Sequence, residues 1–305
     1  MNATRRLFKF ADDKTGEFSI EIHPGKVSID TMTHLRQLGF NRVSMGVQDF
    51  NEDVQKAVNR FNSYEQIAEI MKALRAQQYQ SISMDLIYGL PLQNQQTLSE
   101  TLTQVVDLGP DRLSLFNYAH MPHLFKSQRL IRDEDLPSSS EKLDMLHFAI
   151  DRLQQAGYIY IGMDHFAKPE DELVKAQHQG RLQRNFQGYS THDDCDLLAV
   201  GVSSISMIDN VYIQNAKELN AYQQKLDIGL LPIAKGFTLN EEDVLRRYVI
   251  NQLTGHCKLE FHLLNKKFDI YSQEYFREEL AQLQPMIEDS LVQMDSRGIT
   301  IFNRN

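Results

Sequence analysis

Three strand-like runs in the first third of the chain each carry a polar residue where a packed core would place an apolar one: Glu21 after FSI, Gln48 after SMGV and Asp85 within SISMDLIYGLP. Two carboxylates and an amide at strand ends, in order along a β/α chain, can converge as hydrogen-bonding groups on one ligand. One polar strand end is ordinarily a cap or a solvated edge. Three in series point to a pocket. The carboxyl ends of parallel strands all open on one face of a sheet, and that is where such a pocket forms.

Helix-length segments separate these runs and supply the frame. Asp30 is placed to cap a helix with Met32, Leu35 and Leu38 on one side, closed by Gly39, and a strand over Arg42–Val47 follows. Ser63 and Gln66 read as a capping box for a helix carrying Ile67, Ile70, Met71 and Leu74, before the strand SISMDLIY. Thr97 and Glu100 repeat the pattern for Leu98, Leu102, Val105 and Val106, and Gly109-Pro110 stops that helix before RLSLFNY. Ser138 and Glu141 open another, with Leu143, Leu146, Ile150 and Leu153 inward and Gly157 at its end, leading into YIYIGM.

Residues 165–195 lose this rhythm and read as a lid or a sheet extension, followed by a strand pair in LLAVGVSSISMI and VYIQN. From Asn240, which caps EEDVLRRYVINQL, the chain is mostly helical, and LVQMDSRGITIF reads as a hairpin turning near Arg297-Gly298. The expected division is residues 1–240 and 241–305. The fold class is α/β.

Composition excludes several classes of function. With 305 residues and 42% hydrophobic content, the chain is long enough for a full core. A net charge of −9 argues against a nucleic-acid surface or an anionic-membrane dock. No apolar stretch reaches membrane-span length and MNATRRLFKF is no secretory signal, which makes the cytoplasm the expected address. Cys195 and Cys257 are the only cysteines, too few for a disulfide framework or a thiolate metal knot. His123, His165 and His192 lack the spacing of a zinc site, so no metal ligands are assigned.

The strings FSIEIHP, FNRVSMGVQDF, EDVQKAVNR, MDLIYGLP, DRLSLFNYAH, GMDHFAKPEDEL, RNFQGYST and GVSSISMI occur in one order along the chain. Together they resemble the oxygen-independent coproporphyrinogen III oxidases, radical SAM enzymes of heme biosynthesis, from about Phe18 onward. GMDHFAKPEDEL and RNFQGYST are the most specific of them. Radical-SAM-like heme chaperones are the alternative within the same class, and a non-catalytic module that binds S-adenosylmethionine or a tetrapyrrole is the alternative outside it.

The resemblance implies a partial (β/α) barrel of radical SAM type with a small, mostly helical C-terminal domain. It implies S-adenosylmethionine at Glu21, Gln48, Arg60, Asp85, Ala119 and Ile205. The ligand's amino group and ribose hydroxyls suit the carboxylates, and its carboxylate suits Arg60. The implied substrate is coproporphyrinogen III, whose propionates need local cations; Arg181, Arg184, Arg129 and Lys126 are the candidates, with His165 as a further substrate contact. The implied parent enzyme is a monomer served by an electron-donor protein of unknown identity, with no nucleic-acid or membrane partner.

The family's Cys-x-x-x-Cys-x-x-Cys loop, which ligates a [4Fe–4S] cluster, has no counterpart here, nor does the glycine-rich strand that follows it. The sequence therefore reads as a fragment lacking the first barrel strands, expected to be inactive by itself. The exposed edge of the strand near Phe18–Ile22 is expected to favour association.

Overall fold

Alternation with a period of two organises the first strands. The computed structural model describes residues 1–13, 15–192 and 195–302, which divide into two compact units, Met1–Val174 and Lys175–Asn305. In the first, a short helix α1 (Asn2–Leu7) precedes β1 (Ser19–Ile22), α2 (Ile29–Gln37), β2 (Arg42–Gln48), α3 (Glu52–Ala57), α4 (Tyr64–Ala76) and β3 (Ser81–Tyr88). Next come α5 (Gln95–Leu108), β4 (Arg112–Asn117), α6 (Ser139–Gln155), β5 (Ile159–Gly162) and β6 (His165–Ala167), and α7 (Glu172–His178) runs across the boundary between the units. The strands form one sheet in the order β1-β2-β3-β4-β6-β5. The first four are parallel, whereas β6 is antiparallel to both β4 and β5, so β5 again runs with the first four.

On one face of this sheet Ile22, Val43, Met45, Val47, Ile82, Met84, Leu86, Leu113 and Leu115 are buried. They pack with Met32, Ile67, Ile70, Met71, Leu74, Leu98, Leu102 and Val105 from the helices. Burial of these side chains, at about 25 cal/mol per Å² of apolar surface, drives the layering. Alternate positions on the other face are polar: Ser19 and Glu21, Arg42 and Ser44, Ser83 and Asp85, Arg112 and Ser114. That face is free to build a site because the core lies on the opposite one.

Helix ends differ from the sequence reading in several details. Ser28, not Asp30, caps α2, accepting from Thr31 N at 3.2 Å. Ser63 caps α4, but Gln66 reaches Pro24 O instead of closing a box. Asn94 and Thr97 form the capping box of α5, so the helix begins three residues earlier than Thr97 and Glu100 suggested. The Ser138–Glu141 and Asn240 caps form as expected, and Gly109 ends α5 at a φ of 61°. On α6 the fully buried residues are Met145, Ala149 and Leu153, while Leu143 is 52% exposed. The inner stripe therefore excludes Leu143.

The second unit begins with a hairpin, β7 (Gln183–Asn185) and β8 (Gly188–Ser190). A three-stranded sheet follows, in which β10 (Val211–Asn215) lies between β9 (Ile205–Ile208) and β11 (Ile233–Thr238), with α8 (Leu219–Asp227) before the last strand. Of LLAVGVSS only Leu197 joins it, as an isolated bridge to Met207. The remainder is α9 (Glu241–His256), β12 (Lys258–Glu260), α10 (Phe261–Phe268), α11 (Ser272–Tyr275), α12 (Arg277–Ala281), α13 (Gln284–Glu288), β13 (Val292–Met294) and β14 (Gly298–Ile301). The expected C-terminal hairpin gains β12 as a third strand, and Leu245, Leu259, Phe261, Leu264, Phe276, Val292 and Ile299 make its core.

The compact units meet at 174/175, whereas the sequence reading divides the chain at 240/241. The β7–β8 hairpin packs on α9: Tyr189 Oη donates to Thr254 O at 2.9 Å, and a Cβ on Gly255 would stand 2.8 Å from Leu182 O. Among the described residues, no helix is long and apolar enough to cross a membrane.

Candidate cofactor and substrate site

The polar face of β1–β4 gathers the first group of candidate residues. Glu21 is exposed on β1 and lies opposite Ser44 of β2. Asp85 on β3 lies between Gly46 of β2 and Ser114 of β4. Ser44 Oγ donates to Asp85 Oδ2 at 3.3 Å, and the Ser114 hydroxyl supplies a second hydrogen bond. Burial holds the Asp85 carboxyl above the usual aspartate range; the Ser114 bond opposes this, and the like charge of Glu21 reinforces it.

A bulge at the end of β2 aims Gln48. The β2–β3 register shifts between Gly46 and Gln48, so that Gln48 stands opposite Leu86, and its φ is 72°. Its amide nitrogen would lie 2.6 Å from a Cβ on Gly46, and the Arg60 Nη2 would lie 2.7 Å from the same point. Arg60 Nη2 donates to Gly46 O at 3.2 Å. Gly46 is thus the floor on which the two long side chains lie. Gln48 Oε1 and Arg60 Nε are both buried without a hydrogen-bond partner. Leaving an acceptor and a donor unpaired costs about 1–3 kcal/mol each, which a polar ligand at this place removes.

Arg60 owes its position to a buried polar network that the sequence reading did not single out. Gln55 Nε2 donates at 2.9 Å to both Asp49 O and Asn62 O, Gln55 Oε1 accepts from Asn62 N at 3.0 Å, and Arg60 N donates to Gln55 O at 3.0 Å. Asp49 accepts from Asn51 N at 2.6 Å, Gln93 Nε2 at 2.6 Å and Thr101 Oγ1 at 3.0 Å. Burial raises the Asp49 carboxyl above its ordinary range, partly offset by these bonds. The density of amide side chains in QDFNEDVQKAVNRFN, beside apolar strands, was the available signal.

Ala119 follows the exposed end of β4. Gln128 brackets it, donating to Ala119 O at 3.0 Å and accepting from Met121 N at 2.5 Å. His165 opens β6 opposite Ser114, with Nδ1 2.5 Å from Asp164 Oδ1. Lys126 and Arg129 are exposed in a turn beyond β4, where Arg129 Nε donates to Pro122 O at 3.1 Å. The first unit therefore brings together Glu21, Gln48, Arg60, Asp85 and His165.

Ile205, Arg181 and Arg184 belong to the second unit. Ile205 is half-buried at the start of β9, opposite Gln214. Arg181 is exposed and donates to Gln179 Oε1, and Arg184 lies 5.4 Å from the centre of the Tyr189 ring. Cys195 is exposed and Cys257 half-buried. Among the described residues, no group of three His, Cys, Asp or Glu side chains could hold a metal ion.

Comparison with known proteins adds an independent line. A model of the Radical SAM superfamily matches residues 2–105. An oxygen-independent coproporphyrinogen III oxidase of Pseudomonas aeruginosa is 49% identical over 301 residues, covering 99% of this chain and 65% of that protein. One of Thermostichus vulcanus is 42% identical, covering 93% of this chain and 88% of that protein. The solved structure of coproporphyrinogen III oxidase from Escherichia coli, described as a radical SAM enzyme, superposes with a TM-score of 0.94 at 46% identity, covering 98% of this chain and 69% of that one. The fold is thus the partial (β/α) barrel of radical SAM type with a smaller, mostly helical part. The chain spans about two thirds of the length of relatives such as the Pseudomonas protein, 65% in that case.

Proposed function

Because the chain belongs to the family of oxygen-independent coproporphyrinogen III oxidases, we propose that it carries the cofactor-holding strands of an enzyme that oxidatively decarboxylates coproporphyrinogen III to protoporphyrinogen IX in heme biosynthesis. The observation that supports this reading is the unpaired Gln48 Oε1 and Arg60 Nε beside the carboxylates of Glu21 and Asp85. S-adenosylmethionine offers complementary groups: an amine and hydroxyls that donate to the carboxylates and the Gln48 oxygen, and a carboxylate that accepts from Arg60. When bound and reduced, that cofactor supplies hydrogen-abstracting one-electron chemistry.

The chain's own residues hold and orient. Glu21 and Asp85 offset the positive charge of the ligand, Arg60 takes its carboxylate, and the Gly46 floor lets these side chains lie flat. By the family resemblance, Ala119 and Ile205 are further cofactor contacts, and Arg181, Arg184 and His165 substrate contacts, each to be tested singly by substitution. A [4Fe–4S] cluster does not fit the thiols present, since Cys195 and Cys257 are only two. No step is assigned to a cluster in this chain.

Calorimetric titration of the chain with S-adenosylmethionine tests the proposal. Binding that Arg60→Ala and Asp85→Asn each weaken is the expected result; no binding by the unmodified chain refutes it. After anaerobic incubation with iron and sulfide, residues 1–305 by themselves are expected to produce no 5′-deoxyadenosine.

A further inference from the structure

Gln48 stands at the centre of a turn that its neighbours close. Asp49 N donates to Val47 O at 3.0 Å, and the φ of Gln48 between them is 72°, the rare and strained form of the γ-turn. The turn makes the bulge of β2 against β3 and brings the Gln48 side chain back over the strand, its amide nitrogen 2.6 Å from a Cβ built on Gly46. A strained backbone of this kind persists only where its surroundings overdetermine it.

The surroundings grip both flanks of the turn. Val47 O also accepts from Asn62 Nδ2 at 3.4 Å, and Asp49 O accepts from Gln55 Nε2 at 2.9 Å. The buried Asp49 carboxylate takes three donors: Asn51 N at 2.6 Å and Thr101 Oγ1 at 3.0 Å on Oδ1, and Gln93 Nε2 at 2.6 Å on Oδ2. Gln93 is buried as well, and its amide is fully used. Its Nε2 donates also to Ile87 O at 3.0 Å, while its Oε1 accepts from Gly89 N at 2.6 Å and Leu90 N at 3.2 Å. One side chain thereby ties the loop after β3 to the residue that closes the turn after β2. By contrast, Gln48 Oε1 is buried without a partner. The bonds hold the backbone around Gln48 and leave its amide oxygen to a ligand.

We infer that Gln93, acting through Asp49, is a positioning residue: it holds the strained turn that carries the Gln48 amide over Gly46. This role rests on the reading of Gln48 as a cofactor-holding residue, but its first test does not. Glycine takes a positive φ without steric cost, so Gln48→Gly relieves the strain of the turn, and its cost in the unfolded chain is the same in every background. In urea unfolding of the whole chain, the midpoint shift that Gln48→Gly produces is expected to be more favourable, by about 0.3 M, in the unmodified chain than in Gln93→Met, where the released turn relaxes. Equal shifts in the two backgrounds overturn the inference. Thr101→Val, which removes a different bond to Asp49 and keeps the shape of the side chain, serves as a second background with the same expectation and the same refutation, and decides the matter if Gln93→Met does not fold.

Affinity supplies a readout that a merely structural role would not move. Gln93→Met is expected to weaken S-adenosylmethionine binding about fivefold in the unmodified chain and to cause no further loss in Gln48→Ala, because its effect passes through the Gln48 amide. An equal loss in both backgrounds means that Gln93 acts elsewhere, and overturns it. If the unmodified chain binds no S-adenosylmethionine, the functional reading fails while the urea comparison still decides the role of Gln93.

Discussion

Gln48 and Arg60 lie over the same bare backbone: a Cβ on Gly46 would stand 2.6 Å from the amide nitrogen of the first and 2.7 Å from a guanidinium nitrogen of the second. Both contacts involve flexible side-chain ends, so a methyl group there moves the side chains, not the strand. Gly46→Ala is expected to shift the melting temperature little and to weaken S-adenosylmethionine binding about tenfold, the equivalent of about 1.4 kcal/mol. Thermal melts and calorimetry on one preparation check both halves.

At the opposite ends of the strands, Asp171 is buried and accepts from Arg112 Nε at 2.8 Å and from Leu173 N at 2.8 Å. Asp171→Ala leaves Arg112 without its most buried partner. The expected loss is about 3 kcal/mol in urea unfolding, because breaking a buried pair strands one charge. Asp171→Asn should lose less.

Glu172 gives this cluster a pH dependence. Burial acts to raise its carboxyl, but hydrogen bonding to Arg42 and the charges of Arg42 and Arg112 outweigh it and hold the group below the usual glutamate range. A lowered folded value means stability that is present above the ordinary glutamate range and lost as pH falls through the folded one. The acid limb of the urea midpoint should therefore move to lower steepness in Glu172→Gln.

Asp49 titrates in the opposite sense. Its folded value is raised by burial, so its stabilisation is complete below the ordinary aspartate range and declines as pH rises through the folded value. Asp49→Asn turns an NH₂ toward Gln93 Nε2 and is expected to lose about 1–3 kcal/mol. Since the unmodified chain weakens as pH rises through that window, the deficit of the variant should narrow there, as urea midpoints between acid and neutral pH would register.

At the edge of the main sheet, β1 pairs among the described strands with β2 alone. Its apolar Ile20 and Ile22 invite edge-to-edge pairing. Sedimentation should show association that grows with concentration and recedes in Ile20→Lys; a monodisperse monomer with protected amides across Ser19–Ile22 would contradict this.

Much of the frame was legible because it rests on local rules. The strand SISMDLIY spans the residues expected of it, and Ser138–Glu141 caps where two side chains and two backbone groups match. Position 143 was misread because Leu143 continues a helical stripe whose other members, Leu146, Ile150 and Leu153, pack on the core beside Met145 and Ala149, and only the neighbouring surface decides where along the helix that cover ends. The caps at Ser28 and Asn94 were missed for a similar reason, since each competes with a good capping residue within three positions.

Of the site, the strand-end carboxylates could be seen in sequence because their environment is set by the strands that carry them. The braces could not. Gln55, Asn62 and Gln93 act on Asp49 and Arg60 through bonds that join a short helix to turns, and no periodicity announces them. The antiparallel insertion of β6, which places His165 beside Ser114, depends on pairing between segments about fifty residues apart.

Gln48 holds a left-handed backbone at φ 72°, which disfavours any residue with a side chain by about 1 kcal/mol. Position 48 is therefore a weak link that the fold tolerates. A laboratory screen that rewards heat resistance alone should drift there toward glycine or asparagine. Each such variant would be hardier than its parent and would lack the length of side chain that carries an amide over Gly46.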